Sequence, residues 1–274
     1  MILLNCGNLT IEGESIGGLA TYLRIKELDL IFDLGRCPIS FIGTNHVFIT
    51  HFHLDHYFGL PIYVSQRWLS NMPPGKIFVP EGGMKQLQNI LDSIAKLDSQ
   101  QTWNHHLISV KIGDRIPFRR NLVIYAIAVN HTIPAIGYLV CETRNKLKPE
   151  YLGRPGSEIA ELRRTGVPIT NQLELPLIAY LGDTQSVSMD SHPLLNRCQI
   201  LVCECTFLLP GDRQRAEKTK HFHLDSLISL VENFNGDKII LTHFSQRYST
   251  HLIQQQIEQA IPDPTQRAKI GLFI

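Results

Sequence analysis

The chain has 274 residues, 43% of them hydrophobic, enough for a sizeable core in one large domain or two small ones. Its 26 basic and 25 acidic side chains leave a net charge of +1, which excludes a globally basic nucleic-acid-binding profile; any RNA contact must come from a local patch. The six cysteines (Cys6, Cys37, Cys141, Cys198, Cys203 and Cys205) lack the spacing of a disulfide framework and read as buried thiols of a reducing compartment. No charged and then apolar leader opens the chain and no apolar stretch reaches membrane length, so the expectation is a cytoplasmic protein without membrane contact.

Residues 1–42 hold three short β-like runs, Ile2–Cys6, 19–25 and 30–33, punctuated by Gly17, Gly18 and Gly35. Asp33 ends the third, either as a turn former or as a carboxylate that holds a ligand histidine. The apolar run 46–49 reads as a buried strand and leads into Thr50-His51-Phe52-His53-Leu54-Asp55-His56. Residues i and i+2 of an extended segment point the same way, so His51 and His53 can reach one metal ion together. Asp55 and His56 lie past the strand end, where the chain turns toward a second point. With 12 His and 12 Asp in the chain, such a cluster arises by chance roughly once in a thousand sequences of this kind.

Residues 56–69 read as a helix with an irregular first turn at Gly59 and Pro61, and Lys76–Pro80 as a strand. Residues 84–97 form an amphipathic helix with Leu87, Ile90, Leu91, Ile94 and Leu97 on one face. The adjacent His105 and His106 would point to opposite faces of a strand and read as structural. Runs 122–129 and 136–141 are strands flanking His131. Between 142 and 174 the chain turns polar, with Arg144, Lys146, Lys148, Arg154, Arg163 and Arg164 against Glu150, Glu158 and Glu161. From Arg144 to Arg164, six minus three gives +3, either a solvated helical insertion (158–164 as helix) or an RNA-facing patch that neutralises phosphates. Runs 177–181, 200–203 and 238–241 are continuous and apolar, as fully buried strands would be; 186–195, 223–233 and Thr250–Ala260 read as helices.

Four ligands cannot close two sites, so further ligands must follow later strands. Asn130-His131-Thr132, Gly182-Asp183-Thr184 and Thr242-His243-Phe244-Ser245 each stand just past an apolar run. The pentapeptide at 51–55 recurs at 221–225, but Ser226 stands where the first copy has His56, so it is no second ligand set. Two β halves with their own helices imply an α/β protein built as an αββα sandwich, one domain over 1–274, with metals at one edge.

These motifs in this order resemble the metallo-β-lactamase superfamily and, within it, the ribonuclease Z family, endonucleases that trim tRNA 3′ ends. The residues that carry the likeness are Phe32-Asp33 through Pro38, Thr50 through His56, Asn130-His131 through Gly137-Tyr138, Leu181 through Thr184, Glu204-Cys-Thr-Phe207, His221 through Asp225, and Leu241 through Tyr248. The resemblance implies that His51, His53 and His131 bind one zinc, that Asp55, His56 and His243 bind the other, and that Asp183 bridges them. It also implies that Asp55 orients an attacking hydroxide, that His221 donates the proton to the leaving oxygen with Glu204 orienting it, and that the chain forms a homodimer. His223 is a weaker candidate for the donor. Arg36 departs from the family, in which a Glu often follows the Asp-x-Gly, and the segment 142–174 is shorter than the family's tRNA-gripping arm. The expected activity is zinc-dependent cleavage of precursor tRNA, with two zinc ions per chain; the residues equally admit manganese or iron. Two rivals share the sequence: a hydrolase of small phosphodiesters, sulfate esters or acyl compounds, and an inactive RNA-binding or scaffolding paralogue.

Overall fold

The computed structural model describes residues 1–99 and 101–274. The first half builds one sheet in chain order. It runs through β1 (Ile2–Cys6), β2 (Leu9–Gly17), β3 (Ala20–Ile25), β4 (Leu30–Leu34), β5 (His46–Phe48), β6 (Lys76–Pro80) and β7 (His106–Val110). The first three pairings are antiparallel and the last three parallel. The second half builds the other sheet from β8 (Arg115–Arg119), β9 (Leu122–Ala128), β10 (Ile136–Leu147), β11 (Thr170–Tyr180), β12 (Ile200–Glu204), β13 (Lys238–Thr242) and β15 (Ile270–Leu272). Here β11, β12, β13 and β15 run parallel. One short strand, β14 (Phe244–Ser245), leaves the second sheet and pairs with β2, stitching the halves together.

The apolar residues sort into three layers. Phe32, Phe48, Phe78, Tyr138 and Tyr180 fill the space between the sheets, with Phe48 and Phe78 stacked at 4.2 Å and Phe32 and Tyr180 at 4.9 Å. Ile31, Val47 and Ile77, on the other faces of the same strands, pack under α2 (Leu60–Leu69) and α3 (Met84–Asp98). Leu201, Cys203, Ile239 and Leu241 pack under α6 (Asp225–Asn233) and α7 (Thr250–Ala260). The order helix, sheet, sheet, helix is the αββα sandwich expected from the sequence, and each central strand reads as a continuous apolar run because both of its faces are covered.

The structure differs from the sequence reading at several elements, among them the unexpected strands β8 and β15. β2 was overlooked, although Ile11, Gly13 and Ser15 alternate inward against Thr10, Glu12 and Glu14. The helix expected over 186–195 is absent; only a turn at Met189–Ser191 forms, where Ser186, Ser188, Asp190 and Ser191 favour local side-chain bonding over helix and Pro193 blocks propagation. The helix expected from His56 is broken into α1 (Leu54–Tyr57) and α2 at Gly59. Leu97 is 88% exposed, off the buried stripe of Leu87, Leu91 and Ala95.

The charged segment 142–174 has a β ribbon at its base, which the sequence reading did not expect, and at its tip the helix expected over 158–164. β10 and β11 continue past the core in register to Leu147↔Thr170, and only the tip carries a helix, α4 (Gly156–Arg164), with no buried residue. From Ile136 to Leu147 the strand advances roughly 35 Å. None of the helices described is long and apolar enough to cross a membrane.

Candidate metal centre

The parallel strands point their C-terminal ends to one edge of the sandwich, and the predicted ligands meet there. Beyond β5 the chain stays extended through His53 (φ −72°, ψ 141°) and then turns into α1. His51 and His53 thus face one point: His51 Nε2 lies 3.1 Å from His53 Nδ1, which lies 3.1 Å from His131 Nε2. The turn of α1 carries Asp55 and His56 round to β13. His56 Nε2 lies 3.3 Å from His243 Nε2, and Asp55 Oδ2 lies 3.5 and 3.4 Å from these two nitrogens. Asp183 sits between the groups, with Oδ2 at 3.7 Å from His51 Nε2 and 3.4 Å from His56 Nε2 and Oδ1 at 3.5 Å from His243 Nε2.

The outer ring nitrogens have fixed acceptors. His56 Nδ1 donates to Asp33 Oδ2 at 2.8 Å, and His51 Nδ1 to Thr50 Oγ1 at 2.9 Å. That hydroxyl in turn donates to Asp33, at 2.9 Å to Oδ2. His243 Nδ1 donates to Thr206 Oγ1 at 3.0 Å, a hydroxyl that donates to Glu204, and His131 Nδ1 donates to the Lys220 carbonyl at 3.2 Å. With protons on Nδ1, these four rings present Nε2 lone pairs inward. Lone pairs facing each other at such distances repel unless a cation lies between them. The buried Asp183 Oδ1, moreover, has no hydrogen-bond donor among the described residues. The site therefore fits metal binding, and the donor set of imidazole and carboxylate is one that zinc accepts.

The electrostatics agree. Burial drives the His131 ring down to about 4 and the His51 ring well below its ordinary value, so both are neutral ligands at neutral pH. Burial also opposes ionisation of Asp183 and Asp55, but the facing His243 and His56 rings outweigh it and hold both carboxyls well below the carboxylate range. Burial disfavours a charged His56, yet Asp183 and Asp33 raise its pKa well above the ordinary value. This negative cradle attracts a cation, and protons compete with metal for it.

Asp33 and His243 have φ of +50° and +59°, a left-handed backbone that costs roughly 1–2 kcal/mol each. Asp33 recovers that cost through bonds from Thr50 N at 2.7 Å, Tyr180 OH at 2.7 Å and His56; His243 donates its N–H to Ser15 Oγ at 3.0 Å. Two glycines allow the close packing. A Cβ on Gly35 would fall 1.8 Å from the Asp55 carbonyl oxygen, and one on Gly182 (φ +60°) would fall 2.8 Å from the Thr50 side chain.

His221 stands beside the cluster, its ring 5.1 Å from that of His131 and 5.5 Å from that of His243. Its Nδ1 bonds Glu204 Oε1 at 2.9 Å, and Glu204 is itself fixed by the Thr184 N–H at 2.7 Å. Burial disfavours the His221 imidazolium, but the Glu204 hydrogen bond and charge more than offset this and raise its pKa. The ring borders a cavity of about 200 Å³ shared with Gln185, Arg213, Glu217, His223 and Asp225. His223 is not in the cluster: it donates from Nε2 to the Leu209 carbonyl at 3.0 Å, and its Nδ1 accepts from Asp225 N at 3.2 Å, at the start of α6.

The six basic residues of the predicted patch lie along the ribbon and its tip, away from this edge. Arg144 pairs with Glu142, Arg154 with Glu158 and Arg164 with Glu161. His105 bonds Trp103 and Gln88, and the six cysteines are unpaired and outside every metal-suited grouping among the described residues. The sequence reading missed Thr50, Thr206, Tyr180, Ser15 and the Gly18 N–H, which donates to Asp55 Oδ2 at 3.0 Å. For Thr50 and Thr206 a signal existed, since each stands one or two residues from a site residue at a strand end.

The family profile of the beta-lactamase superfamily domain matches residues 38–244. The chain is 37% identical to tRNase Z TRZ1 of Arabidopsis thaliana, over 93% of this chain and 91% of that protein. It is 36% identical to the chloroplastic tRNase Z TRZ2 of the same plant, over 90% of this chain and 70% of that protein. The crystal structure of the short form of human tRNase Z superposes with a TM-score of 0.62 over 96% of this chain and 95% of that chain; at 20% identity this is a likeness of fold. Likeness of this order along nearly the whole length, on a sandwich with its histidines and aspartates gathered at one edge, makes the chain a member of the tRNase Z (ribonuclease Z) family within the beta-lactamase superfamily.

Proposed function

We propose that this chain is a zinc-dependent endoribonuclease that removes the 3′ trailer from precursor tRNA, with two metal ions held by His51, His53 and His131 and by Asp55, His56 and His243, bridged by Asp183. Two such ions, when bound, lower the pKa of water from 15.7 to about 7 and clamp a phosphate between them. The protein's own residues supply the rest. Asp55, held by the Gly18 N–H and kept ionised by the facing rings, orients the attacking water and takes up its proton. Glu204 engages His221 Nδ1, which leaves Nε2 as the nitrogen that protonates the leaving oxygen; the Glu204 hydrogen bond and charge raise the pKa of the ring and so favour the form that carries that proton.

The observation that carries this reading is the Glu204–His221 pair next to the ligand cluster. An inactive paralogue has no use for an oriented proton donor there. The ribbon supports an RNA substrate over a small ester. Lys146, Lys148 and Arg163, with Arg144, Arg154 and Arg164, lie on an arm reaching roughly 35 Å from the site edge, a span that a folded RNA bridges and a small phosphodiester does not. The six unpaired cysteines favour a reducing, cytoplasmic setting. Leu54, Phe58 and Ile62, on one side of α1–α2, are 62%, 57% and 52% exposed and form the face we assign to a homodimer; a monomer in sedimentation at micromolar concentration would remove that assignment.

The test is a precursor tRNA with a 3′ trailer, incubated with the purified protein and zinc or manganese beside the Asp55→Ala variant. A single cut at the mature 3′ end, lost in the variant, is expected. Failure to cut by a protein that binds two metals per chain would sink the tRNA assignment.

A further inference from the structure

Helix α5 (Arg213–Thr219) ends in a turn whose first non-helical residue is Lys220, with φ 51° and ψ 48°. The closing bonds run from Lys220 N to Glu217 O at 3.3 Å and from His221 N to Ala216 O at 3.0 Å, the six-to-one pattern that ordinarily places glycine in the left-handed position. A lysine there is strained where glycine would not be. Outside its own turn, the strained residue makes two hydrogen bonds among the described residues, both with His131. Its carbonyl accepts from His131 Nδ1 at 3.2 Å, and its ammonium donates to the His131 main-chain carbonyl at 3.3 Å. The side chain of His131 is buried, and Lys220 itself is half-buried.

We infer that Lys220 is the positioning residue of the metal centre's His131. The left-handed turn aims the Lys220 carbonyl at Nδ1, which fixes the proton there and leaves Nε2 free to face His53 and Asp183. The ammonium ties the backbone of the loop carrying His131 to the same turn, so that ring and main chain are gripped from one residue. Because His221 follows directly, the turn also sets the spacing between the ligand His131 and the proton donor, whose rings lie 5.1 Å apart. The ammonium explains why a lysine occupies a position that backbone geometry alone would give to glycine.

This inference rests on reading His131 as a metal ligand, and the experiment separates the two. Zinc affinity of the intact protein is measured by competition with a chromophoric chelator for wild type, Lys220→Gly and Lys220→Met, along with the melting temperature of each metal-free form and kcat and KM on precursor tRNA. Gly keeps the carbonyl and relieves the backbone; Met keeps the stem and the strain; both lose the ammonium. The expected result is a loss of about tenfold in affinity for one of two zinc ions in both variants. The metal-free melting temperature of the Gly variant is then unchanged or higher, and kcat falls at constant KM. Zinc affinity within twofold of wild type in both variants would overturn the inference. So would a metal-free melting temperature that falls in both, which marks a structural staple, or a raised KM with intact zinc binding, which marks an RNA contact. A wild-type protein that holds no zinc would instead overturn the reading of the site.

Discussion

Replacing Asp33 by Asn tests the logic of the whole centre with almost no change of shape. Asp33 is fully buried and its two oxygens accept from Thr50 N, Thr50 Oγ1, Tyr180 OH and His56 Nδ1. An amide offers one oxygen and one NH₂ group. If the oxygen stays with Thr50 N, the NH₂ faces His56 Nδ1, which must give up its proton; the His56 proton then moves to Nε2 and points at His243 Nε2, 3.3 Å away, into the place of the ion. If the amide flips, its NH₂ meets the Thr50 N–H, donor against donor. Asn tolerates the left-handed backbone, so φ +50° adds no strain of its own. Losing an orienting partner of this kind lowers metal affinity about 10–100-fold, equivalent to about 1.4–2.7 kcal/mol. Competition with a chromophoric chelator reads this directly, and the expected pattern is one ion weakened and the other nearly unchanged, since His51 keeps its Thr50 partner. Asp33→Asn protein that binds both ions within twofold of wild type would refute the tautomer reasoning.

Three further outcomes follow from the geometry. Glu204→Gln is expected to lower kcat about 100-fold with zinc stoichiometry retained, since it disturbs the proton donor and not a ligand; an equal loss of zinc would show that Glu204 serves His243 through Thr206 instead. Arg67, only 2% exposed, donates to the carbonyls of Ile42, Thr44 and Pro73 and to Asn45 Oδ1, and so ties α2 to two loops. Arg67→Met should destabilise the fold by about 3 kcal/mol by leaving these acceptors unpaired, a drop of roughly 6–12 °C in calorimetry for a chain this size, and a change under 2 °C would contradict it. The triple variant Lys146→Ala, Lys148→Ala, Arg163→Ala should raise KM and flatten its salt dependence while kcat stays constant; an unchanged salt slope would remove the arm from the RNA interface.

The ligand cluster was legible because it combines two short-range rules, period-two orientation before a strand end and a turn after it, within six residues. The distant partners His131, Asp183 and His243 were legible one by one as polar residues after apolar runs, but the way they group came from family resemblance, since pairings across 187 positions leave no local trace. The helix at the tip of the charged segment was legible, whereas the two ribbon strands below it were not, for a physical reason. β10 loses its apolar pattern after Cys141 because both faces of a protruding hairpin meet water, and hydrophobic periodicity reports a core only where there is one. Likewise Lys220 could not be singled out: a lysine in a left-handed turn, and what it grips, exist only in three dimensions.

The stitching of the two sheets has a consequence for when the protein becomes an enzyme. His51 through His56 follow β5 of the first sheet, and His243 follows β13, nearly the last core strand. At about 5–20 residues per second, roughly 10–40 s of synthesis separate His56 from its partner. Until then the early residues are an incomplete set, and the grouping closes only when β13 has docked and β14 has reached across to β2. A product truncated before β13 lacks His243 and so cannot assemble the group of Asp55, His56 and His243.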